Sequence, residues 1–308
     1  MHYMNKKISL IVIIGPTASG KTDLALRLAK KFNGEIISAD SRQIYKDLTI
    51  GTAKVNGAWK KNIFVSQKIR HFCIDLVSPK KIFTAADFKI CADRAIADIS
   101  ARKKLPFVVG GTAFWIDTLV YNLNLPHVPP NHALRKKLEK ESVERLFAIL
   151  KKIDSRRAAL IEQKNPRRLI RAIEIAMAIG KTPMIIKKNP YHALWIGIAP
   201  HTNKLHISIA ARSDLMIRRG LLRETKKLLL QGVSKKRIHE LGFEYAAALG
   251  VIEKKIPPKD LSRILTRQTM KYAIRQMRWF KRNRNIHWIQ TAREAERLIQ
   301  AFSLSFKK

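Results

Sequence analysis

The chain has 308 residues, 46% of them hydrophobic, which is enough to fill the core of one large domain or two modest ones. Its 61 lysines and arginines against 23 aspartates and glutamates give a formal net charge of +38. A surplus of this size favours a polyanionic partner, with a generally basic proteome as the alternative explanation. No run approaches the roughly 20 apolar residues that span a bilayer, so we predict no membrane association.

The two cysteines and the first apolar run indicate in which cellular compartment the protein is found. Cys73 and Cys91 offer neither a disulfide framework nor a metal-ligand spacing, so we expect both in the core of a protein in a reducing cytosol. Residues 8–14 follow two lysines, as in a signal peptide, but they run straight into a glycine-rich segment without a cleavage site. We therefore predict a first strand and a cytoplasmic protein.

The glycine-rich segment matches the pattern G-x-x-x-x-G-K-[ST] in full. A buried strand before it and a helix after it would direct backbone N–H groups at an anion. The Lys21 ammonium would face a terminal phosphate, and the Thr22 hydroxyl would be a ligand for Mg²⁺. We predict phosphate binding by Gly15, Pro16, Thr17, Ala18, Ser19, Gly20, Lys21 and Thr22. The loop alone does not identify the phosphorylated compound.

Strands and helices alternate over about the first 120 residues. Strand patterns cover 8–14, 35–40, 71–76 and 106–112, and helical patterns cover 23–31 and 84–104. This alternation predicts an α/β fold with a P-loop and a doubly wound parallel sheet. Because ligands of such sheets lie beyond the carboxyl ends of the strands, the polar cluster at 40–45 should face the phosphate loop.

The alternation of strand and helix patterns stops at three closely spaced prolines: Pro126, Pro129 and Pro130. The following helical patterns, at 135–152 and 165–179, contain no strand run, and we predict a helical insertion domain over 124–187. A strand pattern at 192–199 should rejoin the sheet, and long helices are predicted at 207–231 and 258–282. The core domain would then comprise 1–123 and 188–308, ending in nucleic-acid-binding helices.

Two clusters of basic residues favour nucleic-acid contact. One stripe recurs at helical spacing within a stretch that has no acidic residue from 263 to 293: Arg267, Lys271, Arg275, Arg278 and Arg282. A helix with an apolar inner face and this outer face suits a phosphate backbone, whereas a merely solvated face normally mixes charge signs. The second cluster, in 165–171, is equally consistent with a solvated face and a ligand contact.

Asp40 follows an apolar strand and admits three interpretations. It could hold Mg²⁺ through water, as in nucleoside triphosphatases, or it could cap a helix. It could also accept a proton from an amino group while Gln43 pairs with an adenine edge.

Six stretches occur in the order seen in the tRNA dimethylallyltransferases: 15–22, 40–45, 51–54, 110–112, 168–174 and 275–280. The phosphate loop is shared with many families, but the Asp-Ser-x-Gln-x-Tyr and Arg-Gln-x-x-Trp-Phe stretches are much more specific. The chain resembles a bacterial member of this tRNA isopentenyltransferase family over nearly its whole length. Trp115, Val55, the pair Asp154 and Ser155, and residues 241–244 depart from the family pattern.

The resemblance implies transfer of a dimethylallyl group from dimethylallyl diphosphate, not ATP, to N6 of adenine 37 in the tRNA anticodon loop. Its implied catalytic residues are Asp40, Thr112, Lys21 and Arg212, where Asp40 receives the amino proton and Lys21, Thr17 and Arg212 bind the diphosphate. The implied tRNA contacts are Asp40, Ser41, Arg42, Gln43, Thr112, Arg135, Arg167, Arg168, Arg171, Leu241, Gly242, Phe243, Arg275 and Arg278.

Two other functions fit part of the sequence. A P-loop nucleoside or nucleotide kinase would explain the phosphate loop, but it leaves the arginine-rich helix without a purpose. A nucleic-acid-binding module could hold a nucleotide only as a switch. A monomer is the simplest expectation for the oligomeric state.

Overall fold

The computed structural model describes residues 7–184 and 186–304, which contain an eight-stranded sheet. The strands are β1 (Ile8–Ile14), β2 (Gly34–Ser38), β3 (Ala58–Lys60), β4 (Ile63–Ser66), β5 (Ile69–Phe72), β6 (Leu105–Gly110), β7 (Tyr191–Ile198) and β8 (Ile286–Ile289). Their spatial order is β3-β4-β5-β2-β6-β1-β7-β8. The strands from β5 to β8 in that order pair in parallel, whereas β3 with β4 and β4 with β5 are antiparallel.

Helices connect most of the parallel strands. They are α1 (Lys21–Lys31), α2 (Ala85–Ala101), α3 (Ala113–Val120), α4 (His132–Leu138), α5 (Val143–Ile153), α6 (Ser155–Leu160), α7 (Pro166–Ile179), α8 (Thr202–Arg219), α9 (Leu221–Leu230), α10 (Lys235–Leu241), α11 (Phe243–Ile252), α12 (Leu261–Phe280) and α13 (Ala292–Leu304). The chain divides into two compact units: Leu123–Lys188, here called the helical unit, and the residues on either side of it, called the core unit.

The central strand β1 explains why its sequence is a continuous apolar run. Leu10, Val12 and Ile14 pack into a cluster on one face of the sheet, and Ile11 and Ile13 pack into a second cluster on the other face. All five side chains are fully buried. A strand covered on both faces cannot alternate polar with apolar residues, so the predicted α/β fold with its phosphate loop at the end of β1 is confirmed.

Several predicted elements have different bounds in the structure. The strand predicted at 71–76 is wrong in its second half, because β5 ends at Phe72 and Cys73 and Asp75 take left-handed conformations. The helix predicted at 207–231 is two helices, since Gly220 has φ of 101° between them. The helix predicted at 135–152 is likewise divided, and Ser142 caps its second part. Strands β3, β4 and β8 were not predicted.

The expectation about the cysteines is wrong in one respect. The structure joins Cys73 to Cys91 in a disulfide, with their Cα atoms 6.1 Å apart. Cys73 is buried as expected, and Cys91 on α2 is half-buried. The two cysteines are 18 positions apart, and the sequence between them gives no sign that the end of β5 packs against α2. In a reducing compartment the same positions would carry two thiols.

The helical unit is organised around one buried carboxylate. Leu146, Leu150, Leu169 and Ile173 belong to its apolar core. Beside this core, Glu174 accepts hydrogen bonds from the Asn131 N–H at 2.6 Å and from Arg135 at 2.7 and 2.9 Å, and it also pairs with Arg171. Burial alone would raise the pKa of Glu174, but the arginine and backbone hydrogen bonds outweigh it and lower the pKa to about 2.

Glu174→Gln should therefore destabilise the helical unit by about 2 kcal/mol, because two half-buried arginines lose their counter-charge. Hydrogen exchange of the α7 amides measures this loss as easier local opening. The contribution exists above the ordinary carboxyl pKa of 4.5 and disappears as the pH falls toward 2, since the folded-state pKa is lowered.

Glu162→Gln is the matched control in the same unit. Glu162 pairs with Arg168, and both side chains are exposed, so its loss should cost less than about 0.5 kcal/mol. Equal effects of the two substitutions would contradict the structural role given to Glu174.

Candidate active site

The phosphate loop connects β1 to α1 and has the backbone that its sequence requires. Gly20 has φ of 82° and directly precedes α1, which begins at Lys21. At Gly15 a Cβ atom would lie 2.8 Å from the Ser19 Oγ and 3.1 Å from the Ile198 carbonyl oxygen. The Ser19 hydroxyl is buried and has no hydrogen-bond partner among the described residues. A turn of N–H groups at a helix N-terminus with a spare hydroxyl is a suitable cradle for an anion.

Two half-buried cationic side chains lie beside this loop. The Lys21 Nζ donates to the Pro16 carbonyl oxygen at 3.1 Å, and the Arg212 Nη2 donates to the Thr52 carbonyl oxygen at 3.3 Å. Burial, opposed by the charge of Asp40 and assisted by that of Arg212, lowers the pKa of Lys21 to about 8. Burial also lowers the pKa of Arg212. A bound anion would relieve the cost of burying both cations.

A cavity of about 530 Å³ opens at this place in the core unit. Its lining includes Ser19, Lys21 and Thr22 from the loop, and Arg212 and Arg219 from α8. The segment 49–56 forms the opposite wall. The structure thus brings together the loop and the arginine that the sequence analysis associated with a diphosphate.

Asp40 and Thr112 follow neighbouring parallel strands. The Asp40 Oδ1 accepts hydrogen bonds from the N–H groups of Arg42 at 2.9 Å and Gln43 at 3.3 Å, so Asp40 caps a turn. The Thr112 Oγ1 accepts from the Ser41 N–H at 3.0 Å. The charge of Asp40 acts on the pKa of Lys21 and that of Arg212, which places the carboxylate near both cations.

Gln276 joins these loops to α12; the sequence analysis included it in the Arg-Gln-x-x-Trp-Phe stretch but gave it no role. Its side-chain Oε1 accepts from the Thr17 N–H at 2.9 Å, and its Nε2 donates to the Gly111 carbonyl oxygen at 2.9 Å. A Cβ atom on Gly111 would lie 2.2 Å from that Nε2, so any larger residue there would displace the Gln276 amide. The available signal was an uncharged polar residue, within a motif of the family, on the mostly apolar face of a basic helix that also carries Ala273.

The outer face of α12 is basic. All five members of the basic stripe are exposed: Arg267, Lys271, Arg275 and Arg278 on α12, and Arg282 just after its end. The Arg275 guanidinium lies 5.7 Å from the centre of the Tyr272 ring. Burial raises the pKa of Tyr272, and the charge of Asp40 adds to that shift.

The junction between α10 and α11 also meets the Asp40 segment. The Arg42 Nη1 donates to the Glu240 carbonyl oxygen at 2.5 Å, Leu241 is buried, and the Phe243 ring lies 6.3 Å from that of Tyr272. The next residue, Glu244, is enclosed. Burial raises its pKa to about 7, although the charges of Arg212 and Arg42 oppose the shift.

The predicted arginines of the helical unit divide into two groups. Arg135 and Arg171 are bound to Glu174, so part of their hydrogen-bonding capacity serves the fold. Arg167 and Arg168 are exposed, and Arg168 pairs with an exposed carboxylate.

Thr22 is the residue predicted to bind a metal ion at the loop. Within residues 7–184 and 186–304, no group of three or more His, Cys, Asp or Glu side chains could hold a metal ion. Thr22 is half-buried and lines the cavity. In the same described part, no helix is long and apolar enough to cross a membrane.

Gln276→Leu should loosen the phosphate loop while leaving α12 folded. The substitution keeps the side-chain volume but leaves the Thr17 N–H and the Gly111 carbonyl without partners, a cost of about 1–3 kcal/mol for each group. We expect faster hydrogen exchange in residues 15–20. Gln268→Leu on the exposed side of the same helix is the control, and similar exchange in both variants would contradict the bridging role of Gln276.

Comparison with known proteins agrees with this geometry. The model of the family described as IPP transferase matches residues 43–283, and that of isopentenyl transferase matches residues 8–74. A tRNA dimethylallyltransferase of Acetivibrio thermocellus is 41% identical over 91% of both chains. One from Halothermothrix orenii is 37% identical over 97% of this chain and 94% of its own.

Solved structures give the same result. The tRNA isopentenylpyrophosphate transferase of Bacillus halodurans superposes with a TM-score of 0.69 at 31% identity, covering 97% of this chain and 99% of its own. A eukaryotic dimethylallyltransferase acting on tRNA gives a TM-score of 0.71 at 27% identity, covering 88% of this chain and 69% of its own. The resemblance inferred from the motifs is confirmed: the chain belongs to the IPP transferase family, which includes the tRNA dimethylallyltransferases.

Proposed function

We propose that this protein transfers a dimethylallyl group from dimethylallyl diphosphate to N6 of adenine 37 in the tRNA anticodon loop and releases pyrophosphate. One observation carries the proposal: Gln276 on the basic helix α12 is hydrogen-bonded to the phosphate loop, which forms a cradle for an anion, and to the loop after β6. The names of the relatives, which specify dimethylallyl transfer to tRNA, support the same reaction.

The reaction separates charge at the allylic carbon. The C1–O bond breaks and its electron pair leaves with pyrophosphate, while the N6 lone pair forms the new C1–N bond. Negative charge therefore develops on the diphosphate, and the loop N–H groups, Lys21 and Arg212 would stabilise it there. These groups are already in place before the reaction, held to Pro16 and Thr52, so they need little reorganisation.

The proton lost by N6 goes to Asp40 in this proposal. Two backbone N–H groups hold the Oδ1 of Asp40, and its Oδ2 is the atom to which we assign the proton. Thr112, fixed through Ser41, would line the reacting base. Adenine must leave its stack to reach this site, and Arg42, Gln43 and the exposed arginines Arg275 and Arg278 would contact the RNA around it.

Mg²⁺ is the proposed cofactor. The donor set fits an ion bound chiefly by diphosphate oxygens and water, because the Thr22 hydroxyl is available and no protein cage of acidic side chains is formed by the described residues. The ion would supply charge neutralisation for the leaving diphosphate. We further propose that the protein acts as a monomer in the cytoplasm, where its tRNA substrate is found.

Mass spectrometry of tRNA incubated with the protein, dimethylallyl diphosphate and Mg²⁺ tests this function. We expect one adenosine to gain a dimethylallyl group, and Asp40→Asn to reduce turnover by about 100-fold or more because the proton acceptor is lost. Affinity for tRNA should be unchanged in the variant. An unmodified substrate tRNA, or phosphate transfer from ATP to a nucleoside, would contradict the proposal in favour of the kinase alternative.

The pH dependence of pyrophosphate binding tests the role of Lys21. With its pKa at about 8, Lys21 loses its charge as the pH rises through that value, so affinity should fall above pH 8. Titration calorimetry between about pH 7 and 9 measures this. Lys21→Arg keeps a positive charge throughout, and it should bind without that decrease; the same decrease in both proteins would show that another group is responsible.

A further inference from the structure

The Glu224 carboxylate on α9 binds the backbone of a neighbouring loop segment through several hydrogen bonds. Its carboxylate accepts from three consecutive N–H groups: Thr49 at 3.0 Å, Ile50 at 2.8 and 3.1 Å, and Gly51 at 2.9 Å. The Tyr245 hydroxyl on α11 donates to the same carboxylate at 2.7 Å. Successive N–H groups turned toward one anion form a nest, and hydrogen bonds to a charged acceptor are stronger than neutral ones.

The segment held in this way presents its carbonyl groups to the active site. The Thr52 carbonyl oxygen accepts from Arg212 Nη2 at 3.3 Å and from Gln43 Nε2 at 3.3 Å. The Ala53 carbonyl oxygen lies 3.4 Å from the same Gln43 nitrogen. Glu224 therefore binds the N–H groups of residues 49–51. The carbonyl groups of the next two residues accept hydrogen bonds from Arg212 and Gln43.

Tyr245 sets the position of the Glu224 carboxylate. Its side chain is buried, and a Cβ atom on Gly51 would lie 2.6 Å from its ring, so ring and segment are in close contact. Burial and the nearby Glu224 charge raise the pKa of Tyr245, which keeps its hydroxyl protonated as a donor.

We propose that Glu224 and Tyr245 are positioning residues for diphosphate binding: they hold segment 49–53 so that the Thr52 carbonyl orients the Arg212 guanidinium toward the phosphate loop. This inference rests on the proposed function of the site. An arginine without such a partner loses more side-chain entropy when it binds an anion, so orienting it in advance strengthens binding. Neither residue touches the reacting atoms, and neither is expected to contribute to tRNA binding.

Glu224→Gln and the milder Tyr245→Phe test the proposal, with Glu296→Gln as control because Glu296 pairs with Arg27 and Lys31 instead. Hydrogen exchange should quicken at residues 49–51 in both test variants. Titration calorimetry should show pyrophosphate affinity reduced roughly tenfold in Glu224→Gln, with a smaller reduction in Tyr245→Phe. Filter binding should show tRNA affinity unchanged, and the control should match the wild type throughout.

A double-mutant cycle separates positioning from a merely stabilising role. In an Arg212→Ala background, Glu224→Gln should weaken pyrophosphate binding no further, because its effect passes through Arg212. Additive losses would overturn the proposal, as would unchanged exchange at 49–51 or wild-type pyrophosphate affinity in both test variants. Wild-type protein that binds no pyrophosphate would contradict the proposed function of the site, and the exchange result would still decide whether Glu224 holds the segment.

Discussion

The two hydrogen bonds of the Gln276 side chain fix the relation between α12 and the loops that follow β1 and β6. The amide oxygen accepts a hydrogen bond from the Thr17 N–H in the phosphate loop, and the amide nitrogen donates one to the Gly111 carbonyl oxygen beside Thr112. On its other side the helix exposes a row of arginines. In the proposed function, RNA would bind this exposed row, and its extruded adenine would enter the site formed by the phosphate loop and Asp40.

Three of the acidic side chains are bonded within the fold. Glu35 and Glu174 are nearly fully buried and bind two or more basic side chains each, and Glu224 binds three backbone N–H groups. These three carboxylates stabilise the fold, and the remaining lysines and arginines still far outnumber the remaining acidic residues. The net charge of +38 is thus consistent with a fold that keeps its cations for a polyanion.

Local patterns made the phosphate loop, the position of Asp40 at a strand end and the exposed stripe of α12 predictable, because each depends on neighbouring residues. The bridge made by Gln276 was not predictable, since 259 residues separate it from its partner Thr17. The hydrogen bonds from residues 49–51 to Glu224 likewise join parts of the chain that are far apart in sequence. Short strands such as β8 lack the length for a clear periodicity, and the pairing of Arg135 with Glu174 depends on the packing of the helical unit.

A crystal structure of the protein with pyrophosphate and an anticodon stem-loop would test the account most directly. We predict pyrophosphate on the loop N–H groups within reach of Lys21 and Arg212, and an extruded adenine whose N6 lies at hydrogen-bond distance from Asp40. Backbone phosphates should contact the arginines of α12. Pyrophosphate bound away from the loop, or RNA bound away from α12, would contradict the account.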